Sequence, residues 1–147
     1  METVSLRDVT PDNFEKIVGM KVRPDQQGFV APNDYSLAES KVFPRHYPFA
    51  IYAGEDPVGF LMYDYWDERK EYWIARLMIA ADHQGKGYGR AAMLLAIQLI
   101  RGQPGCSSIS LSFEPENSNA QRLYASLGFK PTGEILEGEI VYRLDFS

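Results

Sequence analysis

Gln84-Gly85-Lys86-Gly87-Tyr88-Gly89-Arg90 sets three glycines at alternate positions between an apolar strand-like run and an apolar helix-like run. Before it, Tyr72 to Ile79 reads as a strand. After it, Ala91-Ala92-Met93-Leu94-Leu95-Ala96-Ile97 has the length and composition of a buried helix. The glycines therefore stand at a helix N-terminus, where the first N–H groups have no intrahelical partner and the macrodipole is positive. A pyrophosphate can bind there to backbone alone if no Cβ blocks its approach. Lys86 and Arg90 add formal positive charge.

Three nucleotide-binding readings compete for such a loop. A Walker A loop needs Gly-Lys-Ser/Thr, but here Gly87 follows Lys86 and no hydroxyl stands at the helix start. A dinucleotide fingerprint needs a third glycine where this chain has Arg90, and a βαβ unit that does not follow. What remains is Gln-x-x-Gly-x-Gly, formed by Gln84, Gly87 and Gly89, which resembles the acetyl-CoA pyrophosphate loop of the GNAT acetyltransferase superfamily. A turn that merely joins strand to helix is the competing structural reading.

A second block strengthens the resemblance. Ile109-Ser110-Leu111-Ser112-Phe113 alternates as a strand with one buried face, and Glu114-Pro115-Glu116-Asn117-Ser118-Asn119 breaks it. A short helix follows, capped by Asn117 or Ser118, striped by Ala120, Leu123, Tyr124 and Leu127, and ended by a left-handed Gly128. In the superfamily the matching asparagine, helix start and tyrosine fall on Asn117, Asn119-Ala120 and Tyr124. In the N-terminal half, Gln27-Gly28-Phe29-Val30-Ala31-Pro32-Asn33-Asp34-Tyr35-Ser36-Leu37-Ala38-Glu39 resembles a segment of bacterial spermine/spermidine acetyltransferases, as does Arg76-Leu77-Met78-Ile79.

The rest of the chain supplies compatible elements. Val4 to Val9 reads as a strand. A helix follows Thr10-Pro11-Asp12-Asn13, with Thr10 or Asp12 as its cap. A second helix starts near Ser36 and stops before Pro44. Phe49 to Ala53 and Val58 to Tyr65 form a hairpin. Pro131 to Leu136 and Ile140 to Phe146 close the chain. The order β-α-α-β-β-β-α-β-α-β-β matches the α/β (α+β) GNAT fold that the resemblance implies. That fold is a central mixed, mostly antiparallel twisted sheet of about seven strands flanked by about four helices, in one domain over residues 1–147.

Composition sets outer limits. The 147 residues are 45% hydrophobic and 24% charged, enough for one buried core. A net charge of −5 without a basic run argues against a nucleic-acid surface. No apolar run is long enough for a membrane helix, and Met1-Glu2-Thr3-Val4-Ser5-Leu6-Arg7 lacks a signal peptide's apolar core, so a cytoplasmic location is expected. The lone Cys106 excludes an intramolecular disulfide and a cysteine-rich metal site, and no metal is expected.

The resemblance implies direct transfer of acetyl from acetyl-CoA to a primary amine. It assigns cofactor binding to Leu77, Met78, Ile79, Gln84, Gly85, Lys86, Gly87, Tyr88, Gly89, Arg90, Asn117, Asn119 and Tyr124, and gives Tyr124 the further role of acid toward the departing thiolate. The amine must also lose a proton. With a pKa near ~10.4, the neutral form at pH 7 costs about 4–5 kcal/mol. Many superfamily members place an acidic base where this chain has Trp73; Glu71, two residues earlier, would share its side of the strand. Glu71 is therefore read as base or cation anchor, with an exposed turn residue as the bland alternative. A polyamine asks for aromatic faces and carboxylates; Phe29, Tyr35, Tyr63, Glu71 and Trp73 are the acceptor-site residues expected, and Asp64, Asp67 and Glu68 offer further negative charge. The acceptor stays open between a polyamine and another small amine, a drug or a peptide N-terminus, and a non-catalytic acetyl-CoA-binding module is a third reading. A homodimer is also left open.

Overall fold

The computed structural model describes residues 2–146; Met1 and Ser147, the ends of the expected domain, lie outside the described residues. Seven strands form one sheet in the order β1-β2-β3-β4-β5-β7-β6. These are β1 (Val4–Arg7), β2 (His46–Ala53), β3 (Asp56–Trp66), β4 (Glu71–Ile79), β5 (Ser108–Phe113), β6 (Lys130–Leu136) and β7 (Glu139–Asp145). Every neighbouring pair is antiparallel except β4 and β5, which are parallel. Four helices flank the sheet: α1 (Phe14–Gly19), α2 (Asn33–Val42), α3 (Tyr88–Arg101) and α4 (Ser118–Ser126). The expected mixed, mostly antiparallel α/β fold is thus the observed one, with the expected element order.

Two apolar layers hold it. The larger joins Ala92, Met93, Ala96 and Ile100 of α3 to the sheet through Ile51, Leu61, Ile74, Ile109 and Leu111. Their spacing on α3 puts all four on one helix face. The smaller, on the opposite face, packs Ile17 of α1 and Val22 against Ala50, Phe60, Met62 and Met78. Buried Asn33 at the start of α2 fastens this layer: its Nδ2 donates to the Ile17 carbonyl at 2.8 Å and approaches Met78 Sδ at 3.7 Å. Asn33 thus holds α1, α2 and β4 together.

Local expectations needed two corrections. Neither Thr10 nor Asp12 caps α1. Asn13 occupies the cap, its Oδ1 accepting from Thr10 N–H and its Nδ2 donating to the Asp8 carbonyl and the Tyr52 hydroxyl. α2 begins at Asn33, three residues before Ser36, because Pro32 supplies an extended entry that the sequence pattern alone does not mark. Asn117 caps α4, accepting from Ala120 N–H at 3.2 Å, and Gly128 beyond it is left-handed, as expected.

Candidate active site

The sheet opens along one seam. β4 and β5 pair only at Tyr72 with Ile109 and Trp73 with Ser110, although β4 continues to Ile79 and β5 to Phe113. Past that row the strands diverge, leaving strand-edge backbone groups facing a gap inside the molecule. A bulge on β4 accompanies the opening: Met62 of β3 pairs with Arg76 and Tyr63 with Ile74, so Ala75 is an extra residue. Bulges re-aim the side chains around them. Here Ile74 and Ile79 join the core beneath α3, whereas Arg76 and Met78 turn toward α1 and α2.

A cleft of about 1380 Å³ follows the gap. Leu77, Met78 and Ile79 line it from β4, Gln84, Gly85, Gly87, Tyr88 and Gly89 from the loop, and Asn117, Asn119 and Tyr124 from the α4 segment. Gly85 and Gly87 have φ of +79° and +84°, and a Cβ at either would meet open space. Gly87 is the left-handed N-cap of α3, with no side-chain cap and no acidic residue in the first turn. Ala91 N–H donates to the Gly87 carbonyl at 3.1 Å, so the N–H groups ahead of it remain for a ligand. This cradle is open, uncapped and positive, which fits a pyrophosphate.

The other loop residues divide by role. Gln84 Nε2 donates to the Ile79 carbonyl at 2.9 Å and to Gln26 Oε1 at 2.8 Å, so its side chain ties the loop to the end of β4. Arg90 NH1 donates to Ser126 Oγ at 2.6 Å and links α3 to α4. Lys86 is exposed beside a shallow groove with Tyr88 and Leu94, outside the main cleft. Asn119 Oδ1 accepts from Arg122, while Asn117 Nδ2 has no partner among the described residues.

Tyr124 is buried between Phe113 and Phe129, with ring centroids 5.8 and 6.1 Å away. Burial pushes its phenol up to about 12, so it is protonated throughout the neutral range. It lines the cleft beside the gap.

The acceptor-side expectations are sorted by the sheet faces. Phe29 and Trp73 line the cleft. Tyr63 does not: it stacks on Phe49 within the core on the other face. Tyr35 stands 60% exposed on α2, outside the cleft. Glu71 shares the side of Trp73, whose indole N–H reaches its Oε1 at 3.4 Å, but its carboxylate also lies 3.8 Å from Arg69 and does not line the cleft. Arg69 itself grips Glu134 through two bonds of 2.9 and 2.6 Å, and Trp66 stacks on Trp73 at 4.2 Å.

A charged group that sequence reasoning did not assemble lies on this side. His46 Nε2 and Asp64 Oδ2 are 3.1 Å apart, and Arg76 NH2 donates to Glu39 Oε1 at 3.1 Å. All four residues line the cleft. Burial pushes the Asp64 carboxyl up to about 7, reinforced by the Glu39 charge. Trp66, whose indole sits near without completing a hydrogen bond, and Arg76 pull the other way. Burial likewise lowers the His46 imidazole. Three atoms here, His46 Nδ1, Asp64 Oδ1 and Arg76 Nε, are buried without a partner among the described residues. Glu39 and Arg76 lie inside the two resemblance segments and Asp64 is among the negative charges expected on the acceptor side, but the cross-strand register that joins His46 to Asp64 is not visible in the sequence.

Among the described residues no helix is long and apolar enough to cross a membrane, and no cluster of potential metal ligands occurs. The sequence pattern of the acetyltransferase (GNAT) family matches residues 8–129. The chain is 30% identical over 139 residues to a spermine/spermidine N(1)-acetyltransferase of Bacillus subtilis, covering 90% of this chain and 91% of that protein. A crystal structure of spermidine N-acetyltransferase from Vibrio cholerae, in complex with CoA and spermine, superimposes with a TM-score of 0.75 at 18% identity, covering 95% of this chain and 92% of that one. An aminoglycoside acetyltransferase in complex with coenzyme A gives a TM-score of 0.81 at 18% identity, covering 97% and 95%.

Proposed function

The chain belongs to the acetyltransferase (GNAT) family, and on that premise we propose that it transfers acetyl from acetyl-CoA to a primary amine of a polycationic acceptor of the spermidine or spermine kind. The observation that carries the donor half is the β4–β5 seam, which opens after a two-rung ladder and ends at an uncapped glycine cradle. Acetyl-CoA supplies an activated thioester carbonyl there. The N–H groups at the start of α3 hold the pyrophosphate, and the free edge of Leu77, Met78 and Ile79, with Asn117 Nδ2 opposite, holds the pantetheine arm.

Tyr124 answers the leaving group. A phenol near 12 transferring its proton outright to a thiolate of ordinary pKa would run uphill by about 3–4 pKa units, roughly 5 kcal/mol. Its role is therefore to donate a hydrogen bond to sulfur as negative charge develops, an interaction stronger in the transition state than in the ground state.

The polyamine reading draws on the 30% identical relative and on the charge of the cleft. Glu39, Asp64, Asp67, Glu68, Glu137 and Glu139 line the cleft together with Arg45 and Arg76, an acidic excess suited to a chain of ammonium groups, and Trp66, Trp73 and Phe29 add apolar faces to the same lining. The test is CoA thiol release across a panel of spermidine, spermine, a monoamine of similar length, an aminoglycoside and a peptide N-terminus. Saturable release with the polyamines, at least ten-fold better in kcat/KM than with the monoamine and weakened by salt, is expected. Release with another amine class alone would end the polyamine reading and leave the transferase.

A further inference from the structure

We propose that the buried Asp64–His46 pair, and not Glu71, is the proton acceptor for the attacking amine. This rests on the acetyl-transfer reading, but not on the acceptor being a polyamine. The first support is register. His46 pairs with Asp64, Asp64 with Trp73, and Trp73 with Ser110, so the pair lies on the same cross-strand row as the last rung before the sheet opens. Strands are about 4.8 Å apart, which puts Asp64 one strand from the mouth of the gap.

The second support is an unmet hydrogen-bonding need. In the form that accepts a proton, His46 Nε2–H donates to Asp64 Oδ2, leaving His46 Nδ1 and Asp64 Oδ1 as bare acceptors. Both are buried and unpartnered, in residues that line the cleft. Asp64 is 5% exposed, in the wall of the cleft. An alkylammonium brings the donors this pair lacks. Glu71, by contrast, already holds the Trp73 indole and faces Arg69.

The surroundings set the pair's charge. Glu39 on α2 and Arg76 on β4 form an ion pair, and both act on Asp64, Glu39 raising its carboxyl and Arg76 lowering it, while Arg45 at the rim is matched by Asp67 at 3.4 Å. The step balances simply. The ammonium R–NH3+ gives one proton to the Asp64 carboxylate; the freed nitrogen pair forms the C–N bond as C–S breaks. A second proton from that nitrogen ends on the thiolate, and Asp64 returns its proton to solvent. Burial supports this assignment, since a carboxyl near 7 is a better match to an amine than an ordinary one.

The test is the pH profile of kcat/KM, between pH 5.5 and 9, for whichever amine the panel selects. It is run on wild type, Asp64→Asn and His46→Phe, alongside acetyl-CoA affinity and a carbon-13 titration of the Asp64 carboxyl. A wild-type rate that rises with pH through about 7 is expected. Asp64→Asn should lower kcat/KM at least 100-fold and erase that limb, with acetyl-CoA affinity kept within two-fold. His46→Phe should move the limb to higher pH, because it removes a donor to the carboxylate. A wild-type limb retained in Asp64→Asn, or a parallel loss of acetyl-CoA affinity, would overturn the proposal. If no amine is acetylated, the transferase reading fails separately. The carbon-13 titration still judges the pair: a carboxyl titrating below about pH 5 would contradict it.

Discussion

The two halves of the cleft are built by opposite means. The proposed donor half is made of backbone: a seam between two strands, glycines with room around them, and a helix end without a cap. Its polar side chains are mostly engaged, as Gln84 is with Ile79 and Arg90 with Ser126. The proposed acceptor half is made of side chains, four ionisable groups from α2, β2, β3 and β4, three of which keep a buried atom without a partner among the described residues. Binding a constant ligand through main chain tolerates little side-chain chemistry, whereas activating an amine requires groups held in an unfavourable environment.

The sharpest way to break this contrast is to put a side chain into the backbone half. Gly87→Glu adds a negative charge to the cradle and should weaken acetyl-CoA binding by at least about 100-fold. Gly87 is left-handed, so the variant also loses about 1 kcal/mol of stability. Gly105→Glu, at a φ of +71° in open space away from the cleft, carries the same strain and should bind acetyl-CoA normally by calorimetry.

The acceptor half should reveal its cost in stability. The folded carboxyl of Asp64 titrates above its unfolded value, so the native state holds the extra proton between about pH 4 and 7. Its contribution to stability is present below that window and lost as pH rises through about 7. By linkage the loss is up to about 4 kcal/mol, and Asp64→Asn also forfeits a bond to His46. Net stabilisation of about 2 kcal/mol at pH 8, turning to net destabilisation of about 2 kcal/mol near pH 4, is therefore expected in denaturant unfolding. A variant equally destabilised at both pH values would show the carboxylate to be an ordinary structural group.

Two smaller effects sharpen the division. Tyr124→Phe should lower kcat about 10-fold while acetyl-CoA affinity holds, since it removes only a donor to the departing sulfur. Wild-type turnover would take Tyr124 out of the chemistry. Glu71→Gln should change kcat less than about three-fold, because Arg69 and the Trp73 indole already occupy that carboxylate. A deeper loss at every pH would return the base to Glu71.

The sequence was readable where function is written locally. Gln84 to Arg90 and Asn117 to Tyr124 are contiguous, and their glycines, cap and spacing follow from short-range rules, so the loop, α3 and α4 fell close to their observed places. The acceptor half is written across the sheet. Tyr63 and Asp64 are neighbours in sequence but face opposite sides, and only the bulge at Ala75 and the pairing of β2 with β3 decide which reaches the cleft. Tyr63 looked as suitable as Phe29 and is in the core. His46, which no motif singles out, finds its partner through a register that no periodicity reveals.

On the proposed reading, donor binding and amine activation reside in separable halves of one cleft. Acetyl-CoA titration by calorimetry into wild type, Gly87→Glu and Asp64→Asn, each verified as folded, tests it most directly. Matching affinity in wild type and Asp64→Asn, with no measurable binding in Gly87→Glu, is expected. Unchanged binding in folded Gly87→Glu, or binding lost in Asp64→Asn, would contradict it.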